Sequence, residues 1–450
     1  MGDMTTYKTG ISALVASAVL AVAGISFTAP AVAQEGEQKE ERKTTKTGSM
    51  SERVYKRLAE AQELAAPEDE NAEPNIPAAI EKLKEIEVMK NLSNYEQAQL
   101  YNFYGFIYYS QEQYEKSIES YNKVLGLEEV PPGLISQVTY TLAQLKFTTE
   151  EYQEAIDLIK EWLKTQENPG PEPYVLIGTG YYQLGEIDNI IPPLEKAMDI
   201  ARERGTEPKE QWWLLLRVAY WEKGDTKKVK EILEILVTNW PKKEYWTQLS
   251  AIYGELDQEP KQLSAFASAY DQGLLTSSSE LVQIASLYLA NDVPYKAAKI
   301  FEKGFKDELI EKKVQNLRLY SQAWALARED ARAVDPLKEA AKLSDDGELD
   351  ARLAQSYSNL GQYKSCVTAA RNAIKKGDLK RPDIVNFTLG QCLYELDDFA
   401  NAKAAFRKAG KDERSATSAS QWVLFIESEE DRIAKYEKAL ADLDAALGEA

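Results

Sequence analysis

One pattern of about 34 residues recurs along most of this 450-residue chain and limits its fold more than any other feature. Its clearest copy is the stretch 353–373, LAQSYSNLGQYKSCVTAARNA. Apolar residues up to Tyr357 share one helical face, Gly361 lies in a turn, and Cys366 belongs to the apolar face of a second helix. The unit is therefore predicted to be a helical hairpin.

Two positions of this hairpin are filled by equivalent residues along the chain. The Cys366 position recurs at intervals of 33 to 39 residues, and the Tyr357 position is aromatic in most copies. Such a period predicts an array in which each hairpin packs on its neighbours. The first position is filled by Ser117, Ala155, Ile190, Val229, Gln262, Ala297, Ala333 and Ala402, and the second by Tyr108, Lys146, Tyr181, Tyr220, Tyr253, Tyr288, Trp324 and Leu393.

These offsets resemble those of the tetratricopeptide-repeat (TPR) family from about residue 98 to residue 416. The resemblance implies an all-α fold, a right-handed superhelical solenoid of TPR helical hairpins with a C-terminal capping helix. We expect nine TPR-like repeats over residues 98–416 and a divergent first helical hairpin over 51–97. One or two capping helices are expected over 417–450.

The N-terminal residues have the features of a secretory signal peptide. Lys8 precedes an apolar run that ends in the small-x-small site Ala31-Val32-Ala33. We predict a signal peptide over 1–33, cleavage after Ala33 and a disordered lead-in over 34–50. In a Gram-negative host the product would be periplasmic, with no integral membrane segment after cleavage. The alternative is an uncleaved anchor helix.

Composition excludes several function classes. The formal net charge of −19 argues against nucleic acid as a partner and favours basic or neutral ones. The absence of histidine removes the commonest catalytic and metal-binding constellations, so no catalytic residue, metal or cofactor is predicted. Asp345-Asp346 and Asp397-Asp398 are predicted turn and cap residues, and Gly178 and Gly180 are predicted helix-packing glycines.

The two cysteines lie on helices that should be neighbours in this array. Cys366 belongs to the second helix of one hairpin, and Cys392 to the first helix of the next. A disulfide between them is feasible and would suit an exported protein. The alternative is two small buried thiols.

Two features depart from the regular pattern. Pro192-Pro193 falls inside a predicted second helix, which should therefore start late, near Ile191, or be kinked. Trp162 occupies a position that is usually small at the contact with the next hairpin. The local geometry of the array is expected to change there.

The first helix of each hairpin should line a peptide-binding groove. Its residues that are not needed for packing are aromatic, apolar or amide side chains in the N-terminal repeats, and small or polar ones later on. Such a groove suits an extended or helical segment with apolar anchors. The predicted groove residues are Asn102, Phe106, Tyr109, Tyr140, Gln144, Phe147, Val175, Tyr182, Leu214, Val218 and Trp221. Any of these aromatics could instead pack between repeats.

Two classes of function remain, a non-catalytic protein–protein interaction scaffold, which is favoured, and an enzyme or enzyme subunit that uses carboxylates alone. The segments 41–64 and 363–406 resemble those of periplasmic repeat proteins that accompany TonB-ExbB-ExbD energy-transduction systems in gamma-proteobacteria. The resemblance implies an accessory role in outer-membrane uptake, with other envelope proteins, TonB-ExbB-ExbD components among them, as partners. A general envelope-assembly or cell-wall adaptor is the alternative, and a basic segment around residues 375–381 is a second candidate surface.

Overall fold

The computed structural model describes residues 49–67 and 72–448, which form 21 α-helices and, within those ranges, no β-strand. Most helices form consecutive pairs joined by short turns, which confirms the predicted all-α array of hairpins. The predicted signal peptide and nearly all of the predicted lead-in lie outside the described residues.

The chain divides into two units after Leu236. The first unit contains five hairpins. Their helices are α1 (Glu52–Ala65) and α2 (Ile76–Glu87), α3 (Asn94–Ser110) and α4 (Tyr114–Leu125), α5 (Pro132–Thr148) and α6 (Tyr152–Leu163), α7 (Glu172–Leu184) and α8 (Ile187–Glu203), and α9 (Glu210–Glu222) and α10 (Thr226–Asn239), within which the division falls.

The second unit contains five more hairpins and a long last helix. They are α11 (Lys243–Glu255) and α12 (Glu259–Asp271), α13 (Ser278–Ala290) and α14 (Pro294–Lys306), α15 (Val314–Leu326) and α16 (Asp330–Leu343), α17 (Glu348–Asn359) and α18 (Tyr363–Lys376), α19 (Pro382–Tyr394) and α20 (Phe399–Ala409), followed by α21 (Glu413–Gly448).

The nine hairpin turns from α3 to α20 share one backbone device. Each places one residue in the left-handed region, and the next residue donates a backbone hydrogen bond to the carbonyl of the aromatic-column position. This arrangement ends the first helix with a Schellman motif. Glycine fills the left-handed position in only three turns. The nine residues are Glu112, Glu150, Gly185, Gly224, Asp257, Asp292, Arg328, Gly361 and Asp397.

Small residues let the helices of one hairpin approach closely. A Cβ atom added at Gly105 would lie 2.6 Å from the Tyr121 ring, and the Ser117 hydroxyl donates a 2.7 Å hydrogen bond to the Gly105 carbonyl. At Gly178 an added Cβ would lie 2.9 Å from Leu194. Gly178 is therefore a packing glycine, as predicted from its helical context.

The predicted disulfide is present in the second unit. Cys366 on α18 and Cys392 on α19 have their sulfur atoms 2.08 Å apart and their Cα atoms 6.3 Å apart. Both side chains are fully buried in the apolar core that α16 to α21 share. The bridge therefore joins two successive hairpins.

The proline pair does not delay its helix. α8 begins at Ile187, four residues before the predicted late start near Ile191. The missing N–H groups of Pro192 and Pro193 leave helix carbonyls without partners only at exposed positions 188 and 189, where water can bind them. Ile190 and Ile191 are buried, so apolar packing holds the first turn in place.

One helix, rather than two, follows the last hairpin. It starts at Glu413 and spans 36 residues. Its first part packs on the second unit, where Trp422 stacks on Phe406 with ring centroids 5.2 Å apart and Ile426 is fully buried. Among the helices of residues 49–67 and 72–448, none is long and apolar enough to cross a membrane.

A buried carboxylate ties the first hairpin to the second. Glu96 on α3 is 5 % exposed and accepts hydrogen bonds from the backbone and hydroxyl of Ser51, which precedes α1, and of Ser93. Burial acts to raise the pKa of Glu96, but the hydrogen bonds from Ser51 and Ser93 outweigh it and lower that pKa to about 2.

Glu96→Gln is therefore expected to lower the free energy of unfolding of the first unit by about 1–3 kcal/mol at neutral pH. Because the folded-state pKa lies below the ordinary 4.5, the stabilisation is complete above pH 4.5 and is lost as the pH falls towards 2. Urea unfolding followed by circular dichroism measures both effects. The exposed Glu119→Gln should change little, and equal stability of Glu96→Gln and the unaltered protein at neutral pH would contradict the assignment.

Candidate functional site

Nine of the eleven predicted groove residues are partly or largely accessible on the first helices of the first unit. They occupy equivalent positions on α3, α5, α7 and α9, so they continue from one hairpin to the next. We call this set the aromatic surface. It consists of Phe106, Tyr109, Tyr140, Gln144, Val175, Tyr182, Leu214, Val218 and Trp221.

Phe147 is a core residue, and its assignment to the groove was wrong. It is 2 % exposed and packs with Ala155 and Ile156. A Cβ atom on Gly180 of the next hairpin would lie 3.0 Å from the Phe147 ring, so the missing side chain at Gly180 makes room for the ring. Gly180 therefore leaves the space that the Phe147 ring fills in the core.

Asn102 is buried in the first unit with only 6 % of its surface exposed. No hydrogen bond to its side-chain amide is formed within the part of the chain that the structure describes. The amide oxygen and nitrogen of Asn102 are not among the side-chain atoms that are fully enclosed without a partner, so they keep contact with the surface. Asn102 therefore offers hydrogen bonds one helical turn before Phe106.

Three tyrosines of the aromatic surface keep neutral hydroxyl groups. Burial raises the pKa of Tyr109 and Tyr182, and burial together with the charge of Glu172 raises the pKa of Tyr140 to about 12. Among the described residues, none forms a hydrogen bond with these three hydroxyls. They remain protonated near neutral pH and can donate to a bound molecule.

Trp162 accounts for the position of Tyr140. The two rings lie 4.6 Å apart between centroids. The large residue at a usually small position therefore supports a ring of the aromatic surface from the second helix α6. The sequence singled out Trp162 only as an irregularity.

The aromatic surface also presents exposed apolar area with few cations nearby. Trp221 is 56 % exposed, and Leu184, at the end of the preceding first helix, is 39 % exposed. Helices α3 and α7 contain no lysine or arginine, and Lys146 of α5 forms ion pairs with Glu151 and Glu154. This composition suits an apolar segment better than an acidic chain terminus.

The basic segment 375–381 serves the fold in part. Lys376 forms an ion pair with the buried Asp350 at 2.8 Å and donates to the carbonyl of Ser344. Arg381 binds the buried Asp383, and this bond holds the pKa of Asp383 well below its usual range. Only part of this segment is therefore free for a partner.

A second depression, which the sequence analysis did not identify, lies on α12, α13 and α14 of the second unit. It encloses about 790 Å³ and is lined by Tyr270, Asp271, Tyr288, Lys296, Lys299, Ile300, Glu302, Lys303, Lys306 and Asp307. The lysines of α14 recur at intervals of 3, 4 and 3 residues and so share one helical face. This spacing is visible in the sequence and could have indicated a basic face on α14. Glu302 pairs with Lys299 and Arg332, which reduces the positive charge.

Carboxyl groups with shifted pKa values give no support to acid catalysis. Hydrogen bonds and ion pairs lower the pKa of Glu280 to about 2 and hold that of Asp383 well below its usual range. A carboxylic acid that donates a proton at neutral pH needs the opposite shift. No group of three or more possible metal ligands occurs among the residues the structure describes.

The family model described as Tetratricopeptide repeat matches residues 98–130 and 385–409, one hairpin in each unit. No curated protein sequence matches the chain.

Several solved TPR structures are similar at low identity. The TPR2AB domain of yeast Sti1, solved in a pHSP90 complex, is 16 % identical, covers 58 % of this chain and 99 % of its own, and has a TM-score of 0.33. A TPR protein from Parabacteroides merdae is 14 % identical, with 60 % and 98 % covered and a TM-score of 0.33. YrrB, described as a TPR protein with an unusual peptide-binding site, is 16 % identical, with 44 % and 91 % covered and a TM-score of 0.32.

Proposed function

We propose that the chain is a non-catalytic scaffold whose aromatic surface holds a segment of another protein. Two of its hairpins match the tetratricopeptide-repeat family model, and arrays of such repeats provide extended concave binding surfaces. The observation that carries this proposal is the combination of the exposed Trp221, the unpaired tyrosine hydroxyls and the unpaired amide of Asn102.

The chemistry of this surface defines the segment it would bind. Aromatic rings provide the buried anchors that dominate binding energy in protein interfaces. The Asn102 amide and the hydroxyls of Tyr109, Tyr140 and Tyr182 can form hydrogen bonds with a peptide backbone. The partner segment is therefore extended or helical, with apolar side chains that pack on the rings and without a requirement for acidic residues.

We further propose that the protein acts in the periplasm, with other envelope proteins as partners. The N-terminal sequence up to Ala33 and the disulfide Cys366–Cys392 both support export, because disulfides persist mainly in oxidising compartments. Segments 41–64 and 363–406 resemble periplasmic repeat proteins that accompany TonB-ExbB-ExbD systems, and this resemblance supports components of such a system as partners. A general envelope-assembly or cell-wall adaptor would use the same surface.

Photo-crosslinking in intact cells tests the binding proposal. With p-benzoylphenylalanine at position 221, we expect a discrete crosslinked product with one envelope protein. The same probe at the exposed position 119 on α4, a second helix, should give little of that product. Mass spectrometry of the product identifies the partner and shows whether it belongs to a TonB system. Equal crosslinking from both positions would overturn the assignment of the surface, whatever the partner.

Export has its own test. Mass spectrometry of the protein from the periplasmic fraction should find Gln34 at its N-terminus, because the small-x-small site ends at Ala33. An Ala33→Leu variant should be processed poorly. Protein that stays intact from Met1, or that stays out of the periplasmic fraction, would contradict export by cleavage at this site.

A further inference from the structure

The last helix carries an apolar stripe that runs past the core of the second unit. The stripe has a period of seven residues, with a second series three residues after the first. This is the a and d spacing of a coiled coil, and it continues to the end of the helix. The a positions are Ala419, Ile426, Ile433, Leu440 and Leu447, and the d positions are Trp422, Glu429, Tyr436 and Leu443, of which Glu429 alone is charged.

The first half of this stripe is covered by the chain itself. Ala419 and Ile426 are buried, and Trp422 packs in the core with α19 and α20. The ion pairs between α20 and α21 end with Lys403 and Glu430. We call the part beyond them, residues 431–448, the tail segment.

The stripe is uncovered over residues 431–441 of the tail segment. Tyr436 is 64 % exposed, Leu440 is 43 % exposed, and every residue of 431–441 except Ile433 is exposed. The tail segment is 18 residues long, so it extends for about 27 Å at the rise of an α-helix. A helical extension of this length is only marginally stable in water without a packing partner. Residues 431–441 therefore present an apolar stripe that nothing covers within the part of the chain that the structure describes.

The charges beside the stripe favour a parallel pair of identical helices. From residue 430 onward the e positions are all acidic, Glu430, Glu437 and Asp444, whereas the first g position of the tail segment is Arg432 and the later two are alanines. In a parallel pair of identical helices, Arg432 of one copy faces Glu437 of the other. In an antiparallel pair the acidic e positions would face one another. Arg432 now pairs with Glu429 at an exposed site, a weak contact that can be exchanged.

We propose that the tail segment forms a parallel two-stranded coiled coil with the tail segment of a second copy of this chain. A seven-residue period departs slightly from that of a straight helix and is maintained where two helices supercoil. A membrane surface is a poorer partner, because the tail segment contains four acidic and three basic groups and so has no excess of positive charge, whereas helices that lie on membranes are usually rich in lysine and arginine. Pairing would give each assembly two aromatic surfaces.

Sedimentation velocity of the purified protein tests the pairing. The unaltered protein should sediment as a dimer at micromolar concentration. Leu440→Glu places a charge in the seam, so we expect the dissociation constant to rise on the order of 100-fold. The neighbouring Ala441→Glu adds the same charge at an exposed b position and should remain dimeric. An unaltered protein that sediments as a monomer, or a Leu440→Glu variant that stays dimeric, would overturn the proposal.

The orientation has a separate readout. An Ile433→Cys variant should form an intermolecular disulfide on mild oxidation, because equivalent a positions meet only in a parallel pair in register. Arg432→Glu should weaken the dimer, and Arg432→Glu combined with Glu437→Arg should restore it. Failure of the cysteine to crosslink in a protein that is still dimeric would contradict the parallel pairing. None of these results depends on whether the aromatic surface binds a partner.

Discussion

Replacing Phe106, Tyr140 and Trp221 together by alanine is expected to abolish partner binding, with a dissociation constant at least about 100-fold higher. Each ring belongs to a different first helix, so the variant removes anchors along the whole aromatic surface. Buried aromatic anchors contribute about 2 kcal/mol or more each in protein interfaces, which is enough for this loss. Binding of the purified partner, measured by calorimetry, gives the result.

The triple variant also removes intramolecular contacts, so stability has to be measured in parallel. Phe106 stacks on Phe103 at 5.9 Å and Tyr140 packs on Trp162, whereas Trp221 is largely exposed. Trp221→Ala alone should therefore weaken binding while the unfolding transition stays unchanged. A control with Tyr55, Val88 and Leu309 replaced by alanine removes comparable exposed apolar area elsewhere. Undiminished binding by the triple variant would move the site away from this surface.

Replacing both Cys366 and Cys392 by alanine is expected to lower the free energy of unfolding of the second unit by about 3 kcal/mol. The bridge closes a segment with a sequence separation of 26 residues, and its removal gives that segment more freedom in the unfolded state. Both sulfur atoms are buried, so alanine also leaves small cavities in the same core. Urea unfolding followed by circular dichroism measures the loss.

The first unit provides an internal control for the disulfide. Hydrogen exchange should accelerate in α18 and α19 of the double-alanine variant and remain unchanged in α5 and α6. Thiol labelling of the unreduced, denatured protein should find no free cysteine. Two reactive thiols in that experiment, or a double variant as stable as the unaltered protein, would contradict a structural disulfide.

The periodic features of the fold could be predicted from the sequence. The column of residues equivalent to Tyr357 places the first helices, and the spacing of Cys366 and Cys392 relative to the hairpins predicts their pairing. These inferences succeed because each repeat packs only on its neighbours, so a local pattern determines local contacts.

Features that depend on the exact path of the backbone could not be predicted in this way. Glu150 and Arg328 adopt the left-handed conformation that glycine favours, because the repeated turn imposes it on whatever residue lies there. Phe147 has the offset of a groove residue, yet Gly180 in the next hairpin opens a space that buries it. The offset alone does not report the size of the residue that faces it.

The helix ends were the least predictable feature. Pro192 argues for a late helix start, yet α8 begins before it because Ile190 is buried and the freed carbonyls face water. The exposed half of α21 was predicted to be part of a cap. Its seven-residue stripe becomes informative only once the structure shows where the core of the second unit ends.

Hydrogen exchange of the protein with and without its purified partner tests the central claim most directly, because it maps the binding surface without any substitution. We expect the partner to slow exchange in α3, α5, α7 and α9, while the rates in α14 and in residues 375–381 stay the same. Protection confined to α14 or to residues 375–381, with α3 to α9 unchanged, would contradict the assignment of the aromatic surface as the binding site.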